Sequence, residues 1–321
     1  MSDNKPTYGG QAVIEGVMIR GRRKVATAVR HANGEIEIKR EDVTSVADNN
    51  WFLKLAFVRG TPALIDSMKL GYRTLMWSSD VAMEGEQQEK PSSWQYALTI
   101  IVAVLIGIGG FGMAPTLLVN LIEKLTGMTV LPYAGENWLQ QLIPSAAAIV
   151  PNLVEGLIRL IMLVGYILVI SLSKDITRVF QYHGAEHKVV NAWEAGITDI
   201  TVENARTYSR IHPRCGTSFL FLFLFVGIVV HAMIGFPHDK ILRLISRLVL
   251  IPVIAGIAYE LIRLSGKFRN AILMKLLIWP GLLMQRITTA EPDDKQIEVA
   301  MAAMTAVVAD EESLGKLTVE N

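Results

Sequence analysis

The residues best equipped for chemistry lie in "QYHGAEHKVV", residues 181–190. His183, Glu186 and His187 stand at the spacing H-x-x-E-H. On a helix, positions four apart share a face, so His183 and His187 can address one ion. Glu186 sits one turn from His183 and can orient a water or bind directly. Zinc sites use this spacing, with two histidine ligands and the glutamate as base. Imidazole nitrogens bind zinc well, and a third protein ligand leaves one position for water. Metal brings such a water near neutral pKa and makes it a nucleophile.

The third ligand must come from elsewhere in the chain. "SRIHPRCGTSF" offers His212 and Cys215, which can both reach one ion if the chain turns at Pro213. Glu194, about three helical turns from His183, is another candidate. The expected assignment is therefore His183, His187, His212 and Cys215 as metal ligands, with Glu186 as general base. The expected cofactor is a divalent metal, zinc first. The residues equally allow a closed structural zinc site without catalysis. An isolated histidine pair can also be hydrogen-bonded without metal, and Cys215 can be a small buried thiol.

The elements that must position these groups follow from composition. The chain has 321 residues, 51% of them hydrophobic and 19% charged, with mean hydropathy +0.36. That balance predicts a membrane protein. A net charge of +1 gives no basic field for nucleic acid, so no nucleic-acid partner is expected. A single cysteine excludes an internal disulfide framework. The first ninety or so residues lack the apolar run of a cleavable signal, which predicts insertion through internal segments.

Four apolar stretches approach the roughly 20 residues that a bilayer core demands. They are 96–119, 152–172, 217–236 and 244–264, the last with Pro252 as a kink. A shorter piece, 271–287, carries Lys275 and Pro280 and reads as interfacial or re-entrant. Residues 1–91 read as a mixed cytoplasmic region. Asn33-Gly34 between alternating segments predicts a hairpin with a primed turn. Thr61 as N-cap and Pro62 at the first helical position predict an amphipathic helix that carries Leu64, Met68 and Leu75 on one face. Gly196 is a natural stop for the histidine helix. Residues 288–321, opening with Pro292, read as a cytoplasmic helix and tail.

The fold class expected is mainly α: a polytopic helical membrane protein of about four spans with a small mixed α/β cytoplasmic region. Lys174, Arg178, Lys188, Arg206, Arg210 and Arg214 in the loop 173–216 put that loop in the cytoplasm. Lys267, Arg269 and Lys275 agree with it, while Lys240, Arg243 and Arg247 run against it. Both termini are then cytoplasmic, in a multi-pass protein of the cell (inner) membrane. The partners expected are the lipid bilayer and a further membrane protein; the oligomeric state is not specified.

Other residues carry weaker signals. "YGGQAVIEGVMIRGRR" has glycines at 9, 10, 16 and 21 but lacks the ending of a phosphate loop. Tight backbone packing is the better reading, with Glu15 paired to an arginine. Arg59 has three options: Glu15, a lipid phosphate or solvent. Glu155 and Arg159, four apart, can neutralise one another. His231 and Glu260 on apolar spans raise a transporter reading, without an inverted repeat to support it.

Five segments occur in order: "GGQAVIEGVMIRG", "VRGTPALIDSMKLGYRTL", "YHGAEHKVVNAWE", "NARTYSRIHPRCGTSFLF" and "ITTAEPDDKQIEVA". Together they resemble the YqhQ-like bacterial membrane family, a domain of unknown function labelled as predicted metal-dependent enzymes. The resemblance runs from about Gly9 to Ala303. It implies an integral membrane protein with a metal centre and no established substrate. The family's pattern falls on His183, Glu186, His187, His212, Arg214, Cys215 and Thr217. The chain departs from it at Ile19 and Arg22, where the family carries methionine and proline, which bears on the local turn. Residues and resemblance lead to one expectation, a membrane-bound zinc-dependent enzyme of hydrolytic type. The alternatives are a non-catalytic membrane assembly or scaffold factor with a structural metal site and, third, a transporter.

Overall fold

The computed structural model describes residues 8–48, 50–83, 93–127, 146–234, 240–268 and 271–319. Arg269, the end of the third expected span at 235–236 and parts of the 1–91 region lie outside the described residues.

Four strands form an antiparallel meander: β1 Gly9–Val13, β2 Gly16–Arg20, β3 Lys24–Arg30 and β4 Ile36–Asp42. The hairpin at Asn33-Gly34 is present, with Arg30 opposite Ile36. Its turn is not the primed type that the dipeptide predicted. Gly34 N–H donates to His31 O, and His31 N–H to Glu35 O, both at 2.9 Å. Gly34 has φ +94° but Asn33 is not left-handed. A primed turn needs positive φ at both central residues; here a type I turn is closed by one left-handed glycine.

Helix α1 spans Gly60–Ala82. It begins two residues before the expected start at Pro62, and Arg59 rather than Thr61 is its N-cap. The Thr61 hydroxyl donates instead to Pro252 O at 3.3 Å. The expected first span is helical throughout, as α2 Ser93–Gly107 and α3 Ala114–Thr126 on either side of a π turn at Ile108–Met113. The α pieces have 15 and 13 residues. Such wide turns arise where an α-helix takes in an extra residue.

The remaining helices are α4 Ala146–Ile170, α5 Lys174–Glu194, α6 Val202–Arg206, α7 Gly216–Ile234, α8 Lys240–Lys267, α9 Ile272–Thr288 and α10 Asp294–Val319. Among the described residues, 3 helices are long and apolar enough to cross a membrane, over Asn152–Ile170, Gly216–Met233 and Leu244–Ser265. They match three of the four expected spans. The first expected span is not among them, because the π turn divides it. The protein is mainly helical, with a small antiparallel sheet.

The sheet is covered on both faces. Val17, Ile19, Ala26 and Ala28 pack against Tyr182, Ala185 and Val189 of α5 and Ile297, Ala300, Ala303 and Met304 of α10. Val13 and Val29 pack against Val81 and Trp77 of α1. Burial of each valine, isoleucine or methionine among them contributes about 1.5–3 kcal/mol. The C-terminal helix is thus a core element. It starts at a reciprocal cap, where Asp293 and Gln296 each accept the other's backbone N–H. Helix α5 ends where Gly196 was expected to end it: Gly196 has φ +97°, and Ile197 N–H reaches back to Ala192 O at 3.1 Å.

Candidate metal centre

Helix α5 lies under the sheet and against the chain that leaves α9. Gly184, the G of H-G-A-E-H, permits this. A Cβ there would stand 2.1 Å from Ala290 O. Ala290 N–H donates to Phe180 O at 2.8 Å. The close approach brings Thr288 O within 2.9 Å of His183 Nδ1. On the next turn, His187 Nδ1 lies 2.6 Å from Arg210 O. A carbonyl can only accept, so each Nδ1 carries the hydrogen, and in the neutral ring Nε2 is left with its lone pair. Carbonyl anchoring of this kind is how metal-binding histidines are usually oriented.

The two Nε2 atoms face Cys215, the residue before α7. His183 Nε2 is 3.1 Å from Cys215 Sγ. One ligand atom each from His183, His187 and Cys215 lie within 4.8 Å of one another. Zn–N near 2.0–2.1 Å and Zn–S near 2.3 Å imply roughly 3.5 Å between nitrogen and sulfur in a tetrahedral site. The cluster therefore has the spacing of a ligand set and could bind a metal. Thr217 supports the sulfur with its N–H at 3.4 Å and its hydroxyl at 3.1 Å.

Glu186 is buried beside the cluster, with an oxygen 3.5 Å from His187 Nε2. The Gly10 N–H bonds to its carboxylate. Burial pushes this carboxyl above its usual range, opposed by His183, His212 and the Gly10 bond. Burial also pulls the His187 imidazole down, opposed chiefly by its bond to Cys215. A neutral imidazole is the form that binds metal.

His212 and Glu194 sit beside the cluster, outside the group of three ligand atoms. The His187 and His212 ring centres are 5.7 Å apart, against 4.4 Å for His183 and His187. His212 Nε2 is 3.4 Å from Glu194 Oε1, and its Nδ1 accepts the Arg214 N–H at 3.4 Å. Glu194 is ion-paired with Arg214. The structure brings Cys215 to the two histidines of α5 and keeps His212 next to them.

Two further residues build the site. Gln285 of α9 accepts the His212 N–H and donates to His212 O, both at 2.8 Å, and also donates to Ser218 Oγ. Gly10 of β1 lets the sheet edge meet Glu186, since a Cβ there would stand 2.8 Å from Glu186 Cγ. The glycine pair at 9 and 10 was a visible signal; a lone glutamine in an apolar helix was the other.

The remaining sequence signals have structural partners. Glu15 is ion-paired with Arg178 and accepts the Tyr182 hydroxyl at 3.2 Å. Arg59 pairs with Glu260 rather than with Glu15. Arg159 donates to Glu155 as expected, and Arg247 of α8 joins them. His231 is bonded to Gly227 O.

Residues 55–310 match a family described as "Protein of unknown function (DUF1385)". The chain is 35% identical over 323 residues to "Uncharacterized protein YqhQ" of Bacillus subtilis (strain 168), covering 96% of this chain and 95% of that one. No solved structure matches it.

Proposed function

Since the chain belongs to the DUF1385 family of proteins of unknown function, as its YqhQ relative also indicates, we propose that it is a membrane-bound, metal-dependent enzyme of hydrolytic type. His183, His187 and Cys215 hold a divalent ion, zinc first, and Glu186 is the general base. One observation carries this: two imidazoles, each fixed through Nδ1 by a backbone carbonyl, turn Nε2 toward one sulfur. Three protein ligands leave a position for water, as catalytic zinc sites do. A bound ion would supply Lewis acidity and a lowered water pKa. Glu186, held by Gly10 next to His187, takes up the proton. Cys215 is the third ligand and His212 lines the site. The chain crosses the inner membrane with both termini in the cytoplasm, and α2–α3 supply the fourth crossing.

A closed structural clip is the second reading, as in a membrane assembly factor. Burial favours it: His187 is 1% exposed and Cys215 6%. The cluster also joins α5, α7 and the end of α9. Two variants separate the readings, Glu186→Gln and His187→Ala. A catalytic site predicts that Glu186→Gln keeps metal and fold while losing function. A clip predicts that Glu186→Gln is silent and His187→Ala loses stability.

A further inference from the structure

The chain between the sheet and α1 is packed where a surface loop would not be. Thr61 Oγ1 donates to Pro252 O at 3.3 Å. A Cβ on Gly60 would meet Ala255 O at 2.5 Å, and one on Gly256 would meet Phe57 O at 1.8 Å. Arg59 donates through Nε and Nη2 to both oxygens of Glu260, each at 2.6 Å. Phe57, at φ +65°, donates its N–H to Glu260 Oε1 at 3.3 Å. These partners at 252, 255, 256 and 260 all lie inside the apolar stretch Leu244–Ser265. At about 1.5 Å per residue, Glu260 is about 8 Å and Pro252 about 20 Å from the Ser265 end.

What faces outward here is apolar except for Lys54, whose ammonium donates to Asp48 O at 2.9 Å. Trp51 is 74% exposed, Phe52 51%, Leu55 42% and Phe57 60%. Much of the backbone is paired within the segment. Lys54 N–H donates to Trp51 O, Leu55 N–H to Phe52 O, and Val58 and Arg59 N–H to Leu55 O. Internal pairing is the condition for irregular backbone at membrane depth. Glu260 neutralises Arg59, and the Lys54 ammonium turns back to the Asp48 carbonyl outside the segment. Polarity returns as α1 climbs: Asp66, Lys69 and Arg73 line a cavity of about 360 Å³ with Arg20. Lys69 and Arg73 lie about 12 and 18 Å along the helix from Thr61, near the distance from which long cations reach headgroups.

We propose that residues 51–61 are a re-entrant segment that enters the hydrocarbon layer beside α8, with lipid acyl chains covering Trp51, Phe52, Leu55 and Phe57. Helix α1 is its rising limb. Part of the 1–91 region is then inside the membrane, and the sheet that carries Gly10 to Glu186 is anchored to the bilayer at a fixed depth. This rests on α8 being a membrane span.

The test uses the full chain in phosphatidylcholine–phosphatidylglycerol vesicles, with nitroxide labels at Phe52→Cys and, separately, Leu55→Cys. Collision rates with oxygen and with a water-soluble nickel chelate are read by electron paramagnetic resonance. Val249→Cys, 67% exposed on α8, is the lipid reference, and Ile38→Cys, 38% exposed on β4, is the water reference. The unsubstituted protein gives the background from buried Cys215. The expected oxygen-to-nickel ratio at 52 and 55 matches Val249→Cys and is at least about threefold above Ile38→Cys. Ratios at 52 and 55 equal to Ile38→Cys, with Val249→Cys still high, overturn the re-entrant segment and leave α8 as a span. A low ratio at Val249→Cys overturns both.

Discussion

His183 Nε2 and Cys215 Sγ are 3.1 Å apart although 32 positions separate them in the chain. One sits on α5, the other at the start of α7, and neither is free to turn away. The Thr288 carbonyl holds the far side of the imidazole, and the Thr217 N–H and hydroxyl hold the sulfur. A donor set fixed before an ion arrives loses little freedom on binding, which is how preorganised sites gain affinity.

Gly10 sets the position of Glu186. In Gly10→Ala the new methyl would lie 2.4 Å from Met18 O and 2.8 Å from Glu186 Cγ. Overpacking of this kind costs about 1–3 kcal/mol. Thermal unfolding in detergent is expected to show a lower Tm for Gly10→Ala, with Gly9→Ala, which meets nothing within 4 Å, as the unaffected control. Equal shifts in both variants would remove Gly10 from the site.

The two buried groups predict opposite pH trends for the metal-free protein. Glu186 is raised above 4.5, so its contribution to stability is full below that pH and is lost as pH rises through the native value. His187 is lowered below 6.5, so the folded protein takes up that proton later than the unfolded chain, and stability falls as pH drops below 6.5. Glu186→Gln removes the first effect. It should therefore be more stable than the wild type at about pH 8, with the gap closing toward about pH 5. Each pKa unit of displacement is worth about 1.4 kcal/mol. A gap that widens on acidification would contradict the assignment.

Within the bundle, Glu155 is 1% exposed and is held by Arg159 at 2.8 Å and Arg247 at 2.6 Å. Breaking a buried pair by removing one partner typically costs about 3–5 kcal/mol. Arg247→Met is expected to destabilise more than Arg159→Met, because Arg247 engages both carboxylate oxygens and links α8 to α4. Adding Glu155→Gln to Arg247→Met should recover part of the loss. Additive losses in the double variant would mean that the two side chains are uncoupled.

Local signals in the sequence were read well because their causes are local. The spans follow from runs of apolar residues, the stop at Gly196 from one backbone conformation, and the shared face of His183 and His187 from helical periodicity. What escaped was set by distant chain. Arg247 counted as a loop charge against the topology, yet it pairs with Glu155, 92 positions away. Arg59 had three options and took a fourth, Glu260, 201 positions on. His212 and Cys215 looked equivalent as third ligands; the structure groups Cys215 with the two histidines, while Gln285 and Glu194 pack against His212. The expected first span is interrupted for a subtler reason. Its hydropathy is high throughout, but the glycine-rich stretch Ile108–Met113 winds as a π turn, which a hydropathy window does not register.

The most direct test of the central claim is metal content. Protein purified in mild detergent without chelator, then exposed to zinc and desalted, is analysed by mass spectrometry of its metals. We expect about one ion per chain in the wild type and in His212→Ala, and background levels in Cys215→Ala and His187→Ala, each checked for retained helical content. A wild type at background, or Cys215→Ala that keeps its ion, would contradict the account.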